Sequence, residues 1–235
     1  MNYHDPRLFS KITGRATMNK ILFLYTSFVF AVLPLCTTLS FAEEPKSIQL
    51  LKPQVDKSRP FMQLLQDRSS SRSFRTEKLP IQVLSNLLWA AFGINRTDTG
   101  KRTAPSAVNW QDIDVYVAMA EGLYLYDAKA YELKPVLSDD VRALTGRQEF
   151  VKDAPVNLIY VSDFSRMGTA TKEEKNLYSG ADTGFISQNV YLYCASEGLA
   201  TVVRASIDRQ TLAKVMKLRP DQKIILAQTV GYPKK

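Results

Sequence analysis

Two arginines four residues apart, Arg68 and Arg72, enclose three consecutive hydroxyls at Ser69, Ser70 and Ser71, with Phe74 close behind. At a helix end, one turn apart, both guanidinium groups could converge on a dianionic phosphate through charge-assisted hydrogen bonds worth roughly 1.5–3 kcal/mol each. The same residues also suit a helix cap or a solvated turn, because seryl hydroxyls compete for backbone N–H groups. A second stretch sets Pro105, Ser106, Ala107, Val108 and Asn109 ahead of Trp110 and Gln111. Proline and small residues there expose backbone N–H and C=O groups beside Ser106 and Asn109, an array that can read a planar heterocycle, although Pro-Ser is also an ordinary cap. In a third stretch Gly180 and Gly184 precede Gln188 and Asn189. Glycines four apart on a helix leave one face bare, open to a flat ring or to another backbone.

What is missing narrows the chemistry. The single histidine is His4, inside a segment that reads as a leader, so no imidazole remains for a triad, for acid–base work or for a metal. Of the two cysteines, Cys36 lies in the same segment and Cys194 stands alone in a helical apolar run. An intrachain disulfide or a cysteine-rich metal site is thereby excluded, and Cys194 reads as a buried structural thiol. The leader is residues 1–42: Lys20, an uncharged apolar run over 21–35, then Ser40 and Ala42 before Glu43, with Met18 as an alternative start. Cleavage after Ala42 implies export to the periplasm or beyond, with no membrane attachment afterwards. An uncleaved anchor over 21–42 is the other reading. Residues 1–42 hold four Lys/Arg and one Asp, so their removal lowers the formal charge from +8 to +5. The remaining cations are scattered among acids, which suits an anionic small molecule and not nucleic acid.

The elements that must position these groups can be read from periodicity. Residues 43–58, with Pro45 and Pro53, read as an extended arm before a single domain over 59–235. Pro60 opens a short apolar-periodic segment, and Pro80 and Gly93 bracket a strong helix with Val83, Leu84, Leu87, Leu88 and Ala91 on one face. Residues 96–101 read as a polar loop. Alternation over 114–119, 123–126 and 131–133 predicts a meander of antiparallel strands. A short capped helix is expected over 138–146, a buried strand over 155–162 and a long helix over 172–197 stopped by Gly198. Then follow a strand over 199–204, a helix over 208–218 and a final strand over 223–230. Strands and helices that do not strictly alternate indicate an α+β class.

In this order and spacing the three motifs resemble the nitroreductase-like family of flavin oxidoreductases. The likeness runs from about Phe61 to Pro233. Arg68, Ser70, Arg72 and Phe74 match the family's phosphate-holding element, with Ser69 where a second basic residue is common. Pro105, Ser106, Ala107 and Asn109 match the loop bordering the isoalloxazine. Gly184, Gln188, Asn189, Gly198 and Leu199 match the late helix, and Val230 to Pro233 the closing strand. The run Leu-Tyr-Leu-Tyr at 123–126 and the segment 199–204 are most similar to the branch that includes azoline dehydrogenases. The resemblance implies a central, mostly antiparallel sheet flanked by helices in three layers, and FMN as cofactor. It further implies a homodimer with the flavin at the subunit boundary, and ping-pong transfer of electrons or hydride from a donor such as NAD(P)H to an electron-poor acceptor. An exported flavin-binding or scavenging protein without turnover is the alternative. Flavin would carry the chemistry itself, leaving no catalytic side chain, with Arg204 or Arg102 as tuning cations and a backbone N–H near Thr183 and Gly184 as the contact to flavin N5. Either arginine could also be a surface ion-pair partner. Lys234 would add a last cation on the phosphate, unless the C-terminus frays. Two departures stand out: Val108 replaces a glycine common in the loop, which would narrow the space over the ring, and the tyrosine or lysine pair of peptide-modifying members is not found.

Overall fold

The computed structural model describes residues 45–55 and 59–234. The expected leader over 1–42 lies outside the described residues.

Among the described residues, nine strands and four α-helices follow one another as β1 (Ile48–Gln49), α1 (Phe61–Asp67), α2 (Ile81–Phe92), β2 (Ile94–Arg96), β3 (Lys101–Arg102), β4 (Ile113–Met119), β5 (Gly122–Asp127), β6 (Glu132–Leu137), β7 (Val156–Asp163), α3 (Lys172–Glu197), β8 (Ala200–Arg204), α4 (Arg209–Val215) and β9 (Gln222–Gly231). Seven strands form one sheet in the order β1-β6-β5-β4-β7-β9-β8, every neighbouring pair antiparallel. Strands β2 and β3 make a separate hairpin.

Side-chain alternation sorts the sheet residues between two helical layers. Val115, Val117, Leu158 and Tyr160 face α2 and α3, packing with Leu84, Leu87, Leu88, Ile186, Val190 and Cys194. Tyr116, Ala118, Ile159 and Val161 face the other way, against Leu212 and Met216 at α4. All eight residues of β7 are buried, as a central strand covered on both faces requires. The tight β4–β5 turn closes on Gly122, where φ is +139° and a Cβ would meet the Leu137 carbonyl oxygen at 2.3 Å.

Helix boundaries follow the sequence signals. Pro80 and Gly93 flank α2. Thr171 and Glu174 form a reciprocal capping box at the start of α3, and Gly198, left-handed at φ 68°, ends it.

Three expectations change. Part of the 43–58 arm belongs to the fold: β1 pairs with β6, and the N–H groups of Leu51 and Gln54 donate to Ser85 Oγ and Asn86 Oδ1 on α2 at 2.9 and 3.0 Å. Residues 96–101 are the tip of the β2–β3 hairpin. The helix expected over 138–146 shrinks to a 3-10 turn, Arg142–Thr145, because Asp140 turns back on itself, accepting from the Arg142 N–H and guanidinium.

Candidate functional site

Helix α3 carries the site. One end of it holds the phosphate motif. The segment after α1 runs along the open edge of β8, where the Ser71 N–H donates to the Thr201 carbonyl at 2.9 Å. Tyr191, on α3, accepts from the Val203 N–H at 3.0 Å and lies 2.8 Å from Ser70 Oγ. Its ring sits 5.4 Å beneath the Arg68 guanidinium. Phe74 is buried against Phe150 and bridges to Pro233. The returning C-terminus is thereby fixed: the Lys234 N–H donates to the Ser73 carbonyl and the Arg75 N–H to the Tyr232 carbonyl. Arg68, Ser69, Ser70, Arg72 and Lys234 therefore share one stretch of surface. Among the described residues no carboxylate pairs with Arg68, Arg72 or Lys234.

The Pro105 loop meets α3 nearer its start. Its Ala107 N–H donates to both oxygens of Asp182 at 3.3 and 3.2 Å. Ser106 Oγ accepts from the Gln111 N–H at 2.8 Å, and Asn109 Oδ1 from Gln111 Nε2 at 3.1 Å. The loop winds tightly, with Val108, Asn109 and Gln111 at φ 52°, 58° and 46°. Left-handed backbone is rare for a β-branched side chain and costs roughly 1–3 kcal/mol, and Val108 stands 81% exposed. The glycine that the resemblance placed there would adopt this geometry without cost.

One face of α3 is bare at Gly180 and Gly184. Asp182 and Tyr191 are nine residues apart on the helix, about 14 Å along its axis. A Cβ on Gly180 or Gly184 would meet nothing within 4 Å, and Gln188 is exposed on the same side. Leu177 and Phe185 flank this strip, 67% and 48% exposed.

Some sequence expectations fall elsewhere. Thr183 and Gly184 lie mid-helix, where each N–H donates to the carbonyl four residues back. Neither amide is available to a flavin N5, and the Thr183 hydroxyl is buried without a partner among the described residues. Arg204 is not at the site. Thr201 faces α3 through Gln228, which also donates to the Ser187 carbonyl, so Arg204, three residues on, points to the opposite face. There it is 5% exposed, and its guanidinium donates to the Thr145 carbonyl and hydroxyl, Asn157 Oδ1 and Thr229 Oγ1. Burial lowers its pKa to about 10. Arg102 does border the loop, donating to Gln111 Oε1 at 2.8 Å and the Phe92 carbonyl at 3.0 Å. Burial is also the chief cause of its lowered pKa.

Sequence reasoning missed two groups. One is Tyr191, which joins the phosphate motif to α3. The other is a buried carboxyl pair, Asp112 and Asp182, at 0% and 1% exposure. A lone acid in the same helical register as Ser179 and Ile186, which turn inward, was the available signal.

A family model described as the nitroreductase family matches residues 65–232. A protein of Methanocaldococcus jannaschii named as a nitroreductase is 28% identical over 162 residues, 65% of this chain and 81% of its own. A crystal structure from Ralstonia eutropha, also named as a nitroreductase, has a TM-score of 0.77 and 42% identity, covering 80% of this chain and 90% of that one. A chain of the Escherichia coli microcin synthetase complex has a TM-score of 0.65 at 20% identity, covering 93% of this chain and 85% of its own. At that identity the likeness is one of fold.

Proposed function

The chain belongs to the nitroreductase family, a family of flavin-dependent oxidoreductases, and from that premise we propose that it holds FMN and passes electrons from a reduced donor to an electron-poor organic acceptor in two alternating half-reactions, with NAD(P)H as the donor to test first. The observation that carries this reading is the set of cations Arg68, Arg72 and Lys234, on the stretch with Ser69 and Ser70 at the sheet edge, which pair with no carboxylate among the described residues. A dianionic phosphate complements that charge.

The residues present fit the rest of the cofactor. The bare strip at Gly180 and Gly184 leaves room for a flat ring. FMN, when bound, supplies the two-electron chemistry. The chain's own part is to bind and orient. Arg68 and Arg72 fix the phosphate, Ser106 and Asn109 present polar edges to the ring, and Arg102 puts positive charge beside the loop, which favours an anionic reduced ring.

Phe61, Met62 and Leu65 on α1, and Leu177 and Phe185 on α3, are apolar side chains exposed to solvent. A second copy of the chain, covering these side chains in a homodimer, would exclude water from the ring. The leader read over residues 1–42 would deliver the domain outside the cytoplasm. Nicotinamide nucleotides are scarce there, so a different reductant would then serve as the physiological donor.

The purified mature domain tests the reading. It should be yellow, with about one FMN per subunit, and should bleach anaerobically with a reductant and recolour with a quinone or nitroaromatic. Arg68→Ala and Arg72→Ala should each release FMN without lowering the melting temperature of the apoprotein. Unchanged flavin content in both variants refutes the phosphate role, and a protein that takes up no FMN refutes the whole reading.

A further inference from the structure

Beneath the loop that borders the proposed ring site, two carboxyl groups lie out of reach of water. Asp112 follows the loop directly, and Asp182 receives its Ala107 N–H, so the pair brackets residues 107–111. Asp112 Oδ2 accepts from the Ser162 hydroxyl at 2.5 Å. Its other oxygen, Oδ1, is buried with no partner among the described residues, and the side chain is within hydrogen-bonding reach of Asp182.

Two neighbouring carboxylates buried this deeply cannot both be ionised without a compensating cation. None is offered. Arg166 is taken by both oxygens of Asp114 and by the Gln111 carbonyl. Arg102 is taken by the Gln111 side chain and the Phe92 carbonyl. Asp163, across on β7, pairs with Arg219 and Arg166. On α3, Tyr178 stands edge-on to Trp110 and Glu174 caps its own helix, while Tyr116 lies on the opposite face of β4.

We propose that Asp112 and Asp182 share a single proton and act together as positioning residues for the 107–111 loop. Asp112 donates that proton through Oδ1 towards Asp182, whose oxygens also accept the Ala107 N–H. Every oxygen of the pair that lacks a donor is then satisfied. When the proton leaves, two like charges meet under a loop already held in left-handed backbone at Val108, Asn109 and Gln111, and the tether at Ala107 loosens. Burial foremost, with Asp182 adding to it, pushes the Asp112 carboxyl up to about 6, which puts the transition between mildly acidic and neutral pH.

The consequence for the ring rests on the FMN reading above, and the test separates the two. FMN affinity is measured by fluorescence quenching from pH 5 to 7.5 for the wild type and for Asp112→Asn, whose amide mimics the protonated acid. The phosphate of FMN titrates in the same window, so the informative quantity is the ratio of the two affinities at each pH. The ratio should be near one at pH 5. At pH 7.5 the variant should bind up to about 30-fold more tightly, the factor expected when binding requires a group of pKa about 6 to be protonated. A ratio that does not change with pH, in a protein that binds FMN, overturns the inference. Carboxyl NMR of the wild type covers the case in which FMN is not bound or the variant does not fold. A carboxyl resonance titrating near 6 supports the shared proton, and two carboxyls titrating independently near 4 overturn it, whatever becomes of the flavin.

Discussion

Replacing Val108 with glycine should stabilise the protein, and the gain can be worked from the loop geometry. Val108 has φ 52° and ψ 16°, a conformation that costs an L-residue about 1–2 kcal/mol, more when the side chain branches at Cβ. Its side chain is 81% exposed, so truncation loses little burial. Glycine removes the steric cost but gives the unfolded chain more freedom, which offsets about 0.5–1 kcal/mol. The net expectation for Val108→Gly is a stabilisation of about 1 kcal/mol, or a rise in melting temperature of about 2–4 °C for a domain of this size. Urea unfolding should show a shifted midpoint at constant slope. Val108→Ala is the decisive control, because it trims the side chain yet keeps a Cβ at positive φ. If alanine gives as much as glycine, or glycine gives nothing, backbone strain at this position is not the cause. The hollow formed by Val108, Trp110, Met167 and Tyr178 should also widen, so kcat/KM for bulky acceptors should rise relative to that for small ones.

The raised Asp112 pKa makes stability depend on pH with a definite sign. The folded state keeps a proton that the unfolded chain releases near 3.8, so stability falls as pH rises from about 4 to 6 and then levels. The loss is at most about 3 kcal/mol; denaturant midpoints at pH 4 and 7 should differ between the wild type and Asp112→Asn by that contribution, and identical pH profiles would refute it. Arg204→Met should destabilise by about 2–4 kcal/mol in urea, because Thr145, Asn157 and Thr229 lose their buried donor. The absorption maximum of bound flavin should stay where it is, since Arg204 lies across the sheet from α3; a shifted spectrum would restore the tuning role. Cys194 is 1% exposed and burial raises its pKa, so a thiol reagent should label it only under denaturing conditions, and rapid labelling of the native protein would contradict the buried position.

Features written in local sequence were legible, and features made by long-range juxtaposition were not. Pro80 with Gly93, and the stretch from Thr171 to Gly198, announce their helices because caps and stops act within a few residues. The meander of β4, β5 and β6 shows in its alternation for the same reason. The two-residue β1 carries no such signal; it exists because β6 offers an edge and α2 supplies Ser85 and Asn86. The site divides along the same line. The phosphate motif and the Pro105 loop are each continuous in sequence, so the residues that would grip a ligand could be picked out. Their supports come from far along the chain: Tyr191 lies 121 residues from Ser70, and Asp182 lies 75 residues from Ala107. Arg204 is the instructive failure. Position alone placed it near the ring, whereas strand alternation from Thr201, which faces α3, puts an even-numbered neighbour on the far side. Assigning a cation on a strand to a site therefore requires knowing which parity faces the helix, and that is fixed by packing against α3 and not by the motif beside it.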